Sequence, residues 1–259
     1  MPDLVRTSAG RSAPRASLAA AAPDSAPAPP GNRLLEALAD EAGLFETVIL
    51  PPGAPLVSAG ETLRYCHFLD SGLVSVVKRL GARQQVEVCV VGRDGMLGLP
   101  AVYGITRMRH DAFALTPCRS RRIATSRFAA LLDGDDGFRR RMLRYAYARM
   151  AEAMQIAACH GSHALRARLA RWLLLADERF RDDEGADGGA LEITHAALAG
   201  LFSVRRAGIT QALHVLEGEG AVRSTRGRLE LRDRRRLAAL SCGCEVAVSQ
   251  EYGETARSF

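Results

Sequence analysis

The residues with the most chemical content lie in one stretch, ITHAALAGLFSVRRAGITQALHVLEGEGAV, from Ile193 to Val222. Thr194 is placed to cap a short helix ending near Leu201, a turn follows at Phe202 and Ser203, and a second helix runs from about Val204 to Glu217. Leu198, Ala199, Ile209, Ala212 and Leu213 fall where two steeply crossed helices must touch. That pattern is a helix-turn-helix. Its second helix would present Arg205, Arg206, Gly208, Thr210 and Gln211 to a major groove. Arginine can grip guanine O6 and N7 with both arms of its fork, and glutamine can pair with adenine. Thr194, Ser203 and Thr210 are candidate phosphate contacts, helped by the helix N-termini. Ser203 occupies the turn position where glycine is usual. A left-handed backbone there costs about 1 kcal/mol for any other residue, so a slightly remodelled turn is expected.

The next stretch is AVRSTRGRLELRD. Val222, Leu229 and Leu231 mark two short strands, Arg226-Gly227 makes the turn, and Arg223 and Arg226 are further phosphate candidates. From Leu191 to Arg236 there are nine arginines against five acidic residues, a local charge of +4. A helix-turn-helix followed at once by a basic β-wing points to double-stranded DNA as partner.

The rest of the chain must position this reading head. The 259 residues are 47% hydrophobic and 25% charged, which excludes a wholly disordered chain and allows one or two domains. The net charge is +6, and Lys78 is the only lysine. No run is apolar and long enough for a membrane helix. Residues 1–31, rich in Ala, Pro and Ser, are expected to form a disordered tail. Residues 32–134 alternate short Val/Ile/Leu-rich runs with Gly and Pro, as antiparallel strands do, after a short helix capped by Asn32. Residues 135–160 form a long helix. One stripe on it, Leu143, Ala146, Met150, Ala153 and Ala157, suits a two-stranded seam, while Phe138, Met142 and Tyr145 suit packing on the β-domain. Residues 161–245 hold the helical domain with its wing, the stretch RDDEGADGG within it is a loop, and 246–259 are expected to be a C-terminal tail.

The order β-roll, long helix, winged helix-turn-helix resembles the CRP/FNR family of bacterial transcription regulators. The resemblance covers about residues 34–245. It rests on LPPGAPLVSAGE (50–61), FLDSGLVSVV (68–77), VGRDGMLGLPAVYG (91–104), RLARWLLLADERF (168–180) and the reading motif. It implies an α+β fold with a jelly-roll-like N-terminal β-roll that senses, a helix that forms a homodimer, and winged domains that read a near-palindromic promoter site. RNA polymerase as a further partner is an expectation alongside these, while six cysteines scattered through a mid-sized chain form no disulfide framework and point to a reducing, cytoplasmic compartment. Members that bind cyclic nucleotides use a Gly-Glu pair for the ribose and an Arg followed by Ser or Thr for the phosphate. Here the effector-pocket positions are Gly95, Met96 and Gly98, with Arg107 and Arg109 in RMRHDAF. A thioether cannot accept the ribose hydroxyl as a carboxylate does, and neither arginine precedes Ser or Thr. Regulation without ordinary cyclic-nucleotide control is therefore expected. The alternatives are a regulator that depends on a cyclic nucleotide or another small molecule, and a protein-interaction module that does not bind DNA. The tail lacks the cysteines of the iron–sulfur branch, and His67, His110 and Cys118 are read as structural residues, not haem ligands.

No cofactor and no metal site are assigned. Cys242 and Cys244 form a C-x-C pair, and Cys159, His160 and His163 sit at the end of the long helix, the makings of a redox or metal switch. Inert buried cysteine is the preferred reading. Catalysis is not expected. Cys159 and His160 are adjacent on a helix and point about 100° apart, and no P-loop, G-x-S-x-G or H-E-x-x-H motif occurs.

Overall fold

The computed structural model describes residues 32–81, 84–93, 95–180 and 190–256. The tail expected over 1–31 and the loop over 181–189 lie outside the described residues. A 3₁₀ helix, Arg33–Leu44, opens the described chain. Asn32 Oδ1 accepts the Leu34 amide at 3.0 Å, while its Nδ2 donates to the carbonyls of Leu69 and Gly95. One buried side chain thus caps the helix and pins it to the sheet.

Eight strands follow: β1 (Glu46–Leu50), β2 (Pro55–Val57), β3 (Tyr65–Ser71), β4 (Val74–Arg79), β5 (Gln85–Val91), β6 (Met96–Leu97), β7 (Asp111–Ala114) and β8 (Cys118–Ala124). They form two antiparallel sheets ordered β1-β8-β3-β6 and β2-β7-β4-β5. Phe68 anchors the β-roll core. It meets Phe45 edge-on and Phe128 of α1 (Thr125–Gly134), which in turn meets Phe138 of α2 (Asp136–Ser162). Asp135 caps α2, accepting from the amides of Gly137 and Phe138. The helix continues through Gly161 to Ser162. Solvent can satisfy the backbone there, and nothing lies within 4 Å of where a Gly161 Cβ would be.

The face of α2 carrying Phe138, Met142 and Tyr145 is buried on the β-roll. Of the expected seam, Leu143, Met150, Ala153 and Ala157 are exposed. Ala146 is not. It is 2% exposed and belongs to the buried face, because it follows Tyr145 where the two stripes adjoin.

The second core joins α3 (Leu165–Phe180), α4 (His195–Phe202), α5 (Arg206–Gly218), the hairpin β9 (Val222–Thr225) and β10 (Arg228–Leu231), and α6 (Arg234–Leu240). Leu169, Trp172, Leu198, Ile209, Leu213 and Leu216 fill it, and Leu73, Val77 and Val90 of the β-roll belong to the same cluster. The helical domain therefore docks on a sheet face. Burial of each such side chain contributes about 1.5–3 kcal/mol.

Polar groups hold this junction too. Glu152 of α2 pairs with Arg149 at 2.6 Å and with Arg179 of α3 at 2.9 Å, and both arginines donate to the Val90 carbonyl of β5. Burial alone would raise the Glu152 pKa, but the two guanidiniums outweigh it and hold the carboxyl below its usual range.

The segment expected to be a tail from 246 is instead part of a helix, α7 (Cys244–Ala256), packed on α2 and α3. Cys244 and Val248, one turn apart, are buried apolar residues on it. Two apolar anchors in so short a stretch are too few to stand out in the sequence.

Candidate nucleic-acid interface

Helix α4 begins as expected, with Thr194 Oγ1 accepting the Ala197 amide at 3.1 Å. The turn keeps the standard geometry. Ser203 is left-handed (φ 54°, ψ 42°), so the strain is accepted and no remodelling occurs. Its amide reaches back to the carbonyls of Ala199 and Gly200, and the Val204 amide bonds to Ala199. These bonds, with Phe202 buried beside Trp172, hold the residue in place. The Ser203 hydroxyl accepts from Gln84 Nε2 of the β-roll at 3.1 Å, so in this conformation it faces that domain.

Arg205 occupies the position before α5, and its carbonyl accepts the Gly208 amide. No side chain caps this helix start, so its amide-rich positive end is left for an anion. Arg205, Arg206, Thr210 and Gln211 are exposed on the start of α5. Gly208 does not share that face. A Cβ there would sit 3.3 Å from Leu165 Cδ2, so the glycine permits close packing on α3 and is not a groove contact.

The wing forms as read, with Arg228 opposite Thr225 and Gly227 at φ 75° in the turn. Arg223 and Arg226 are exposed on it. Two residues missed in the sequence tie wing to helix: His195 Nδ1 shares a hydrogen bond with Thr210 Oγ1 at 3.0 Å, and Nε2 with Ser224 Oγ at 2.9 Å. The Ser224 amide also donates to Glu217 of α5. Only the position of His195, next to a helix cap, hinted at this role.

Among the described residues, four of the nine arginines between Leu191 and Arg236 are ion-paired within the domain, and five, including Arg235 of α6, are not. Arg228 and Arg232 pair with Glu230, Arg234 with Asp177, and Arg236 with Asp233. Arg205, Arg206, Arg223 and Arg226 enter no ion pair among the described residues.

In the β-roll, the expected effector positions differ in exposure. Gly95, Met96 and Gly98 are buried, while Arg107 and Arg109 are exposed. The Met96 side chain is part of the apolar core, and its amide donates to the buried Tyr145 hydroxyl of α2 at 2.9 Å. A long-helix side chain thus occupies the loop that would cradle a ribose. His67 and Cys118 are internal. The first shares a bond with Ser120 and burial lowers its pKa to about 4; the second donates to the Leu73 carbonyl and burial raises its pKa to about 11.

Two sequence models match the chain, the cyclic nucleotide-binding domain over residues 47–135 and the Crp-like helix-turn-helix domain over 167–240. The chain belongs to the CRP/FNR family of transcription regulators. DNA binding through the helix-turn-helix and control of transcription follow from that membership. Among solved structures, this CRP/FNR regulator is similar to FixK2 from Bradyrhizobium japonicum, with 17% identity, a TM-score of 0.65, and coverage of 76% of this chain and 98% of that one. It is also similar to a CRP-family transcriptional regulator from Thermus thermophilus, with 23% identity, a TM-score of 0.62, and coverage of 75% and 96%. The c-di-GMP-responsive regulator CLP of Xanthomonas campestris matches at 15% identity with a TM-score of 0.58, covering 75% of this chain and 97% of that one. At these identities the likeness concerns the fold. No curated protein shows significant sequence similarity to the chain. No helix among the described residues is long and apolar enough to cross a membrane.

Proposed function

We propose that two copies of this regulator pair along α2 and read a near-palindromic duplex site, and that no cyclic nucleotide is required. The carrying observation is the set of four exposed arginines. Arg228, Arg232, Arg234 and Arg236 are paired within the domain, whereas Arg205 and Arg206 at the uncapped start of α5 and Arg223 and Arg226 on the wing are exposed and enter no ion pair among the described residues. Arg205, Arg206 and Gln211 read base edges. Thr194, Thr210, Arg223 and Arg226 hold phosphates, joined by Ser203 once its bond to Gln84 opens. The apolar ridge Leu143, Tyr147, Met150 and Met154 supports pairing. These residues are 42–58% exposed at alternating spacings of four and three, as a two-stranded helical seam requires. The Tyr145–Met96 bond and the buried Met96 side chain support independence from cyclic nucleotides.

The test is fluorescence anisotropy with DNA from upstream of the protein's own gene, read against salt and unrelated competitor, with and without cyclic AMP or cyclic GMP. Tight, competitor-resistant binding without nucleotide is expected. Arg206→Ala should lose about 1–3 kcal/mol and relax one position per half-site, whereas Arg226→Ala should weaken all sequences alike and reduce the salt slope by about one. Equal, sequence-independent losses from both variants would overturn these roles, and a large gain on adding nucleotide would overturn the effector reading.

A further inference from the structure

Four potential ligands from distant parts of the chain converge at the junction between the long helix and the DNA-reading domain. Cys159 lies in the last turn of α2 and His163 one turn on, where the helix ends, so both project to the same side. Cys242 and Cys244 come from the link between α6 and α7. Gly243 between them has φ 73°, a left-handed turn that folds the C-x-C segment into a knuckle. Cys159 Sγ is 3.5 Å from Cys242 Sγ, Cys244 Sγ is 3.6 Å from His163 Nδ1, and all four ligand atoms lie within 4.8 Å of one another.

We infer that this Cys₃His set is a structural zinc site that clamps the end of the long helix to the C-terminal knuckle. Zinc takes four ligands in a tetrahedron with bonds of about 2.0–2.3 Å, so the ligand atoms stand about 3.5–3.8 Å apart. The Cys159–Cys242 and Cys244–His163 separations, 3.5 and 3.6 Å, match those edges. A disulfide would use two of the three sulfurs, leave the imidazole without a role and need an oxidant. A multi-iron cluster needs ligands spread around its outside, wider than the 4.8 Å that bounds this set. Soft thiolates also select zinc over hard cations such as magnesium or calcium.

The surroundings suit the ion's charge. Three thiolates and Zn²⁺ leave a net −1. Arg171 of α3 is 2% exposed, acts electrostatically on Cys159, and its Nε has no hydrogen-bond partner. A buried cation acting on Cys159 offsets part of that charge. The ion has a way in, because Cys159 and Cys244 are buried while His163 is exposed. On binding, three S–H bonds release their protons to solvent, three Zn–S bonds and one Zn–N bond form, and no electron changes hands. The clamp fixes α7 and the knuckle against α2 at the point where the reading domain departs from the dimer helix.

The experiment is metal analysis of the full-length protein purified under reducing conditions without an affinity metal, together with the visible spectrum of the cobalt-substituted protein. About one zinc per chain is expected, with cobalt giving the strong visible bands of a tetrahedral thiolate site. Cys242→Ser with Cys244→Ser should lose the zinc, whereas Cys66→Ala, in the β-roll core, should keep it. Wild-type protein with well under one zinc and no tetrahedral cobalt spectrum would overturn the inference. So would full zinc retention in the double variant, or stoichiometric iron with sulfide. The cobalt readout uses wild-type protein, so it holds even if a variant folds poorly.

Discussion

Glu87 offers a prediction that can be worked from its surroundings. It is fully buried on β5, where Oε2 accepts from the Ser75 hydroxyl at 2.5 Å and Oε1 from Trp172 Nε1 of α3 at 2.5 Å. Burial raises its pKa from 4.5 to about 7, and the two hydrogen bonds with Arg171 and Arg179 only partly offset the rise. A carboxyl with a raised folded pKa binds a proton on folding. Its contribution is therefore complete below about pH 4.5 and declines as the unfolded chain ionises, until about pH 7. A difference of about 2.5 units corresponds to about 3 kcal/mol. Glu87→Gln keeps acceptor and shape and removes the titration. Urea unfolding of both proteins at pH 5, 6, 7 and 8 should show the variant gaining on the wild type by about 2.5 kcal/mol across that range, or about 5–10 °C in Tm. Burial lowers the pKa of His67 and His160 to about 4, so these groups act in the opposite direction, but they are common to both proteins and cancel in the difference. Parallel stability curves, with a gap independent of pH, would refute the reasoning.

The remaining predictions concern the seam, the junction and the turn. Met150→Glu places a charge in the middle of the exposed ridge and should convert a dimer to monomers in sedimentation velocity while leaving the circular dichroism unchanged. Glu152→Ala leaves Arg149 and Arg179 buried without their shared carboxylate and should destabilise the fold by about 3–5 kcal/mol in urea unfolding. Because the carboxyl's folded pKa is depressed, the wild-type contribution is present above its unfolded value near pH 4.5 and is lost as pH falls through the folded one, so the variant should be less acid-sensitive. Ser203→Gly relieves a left-handed serine and should stabilise by up to about 1 kcal/mol, read as a higher Tm, despite losing the Gln84 bond.

What the sequence reveals follows the range over which its signals act. The reading motif was legible because Leu198, Ala199, Ile209 and Leu213 are a local packing constraint, and all four are buried. The wing was legible because Arg226-Gly227 is a two-residue turn between short alternating strands. Gly208 was misplaced because its reason for being glycine, Leu165, lies across a crossing that no local pattern encodes. Arg149, Glu152 and Arg179 look like a solvated helix face in sequence, and only docking of α3 against α2 and β5 turns them inward. The first knuckle cysteine, Cys242, stands 83 residues from Cys159, so that only the folded chain unites them. Ala146 fell on the boundary between two stripes that adjoin on one helix, where a single residue step decides which side it takes.

The imidazole of His195 has a consequence for the operators this regulator can accept. Joined to Thr210 on one ring nitrogen and Ser224 on the other, it makes the reading helix and the wing a single gauge of fixed pitch. Arg206 and Arg226 then cannot adjust their separation independently. On the proposed roles, inserting one base pair between the positions they would touch moves the far phosphate by about 3.4 Å and turns it about a tenth of the way around the duplex. A flexible wing would absorb that shift; a gauge cannot. If the helix and the wing take the proposed roles, spacing within a half-site is expected to matter alongside base identity, even at positions where no side chain reaches a base.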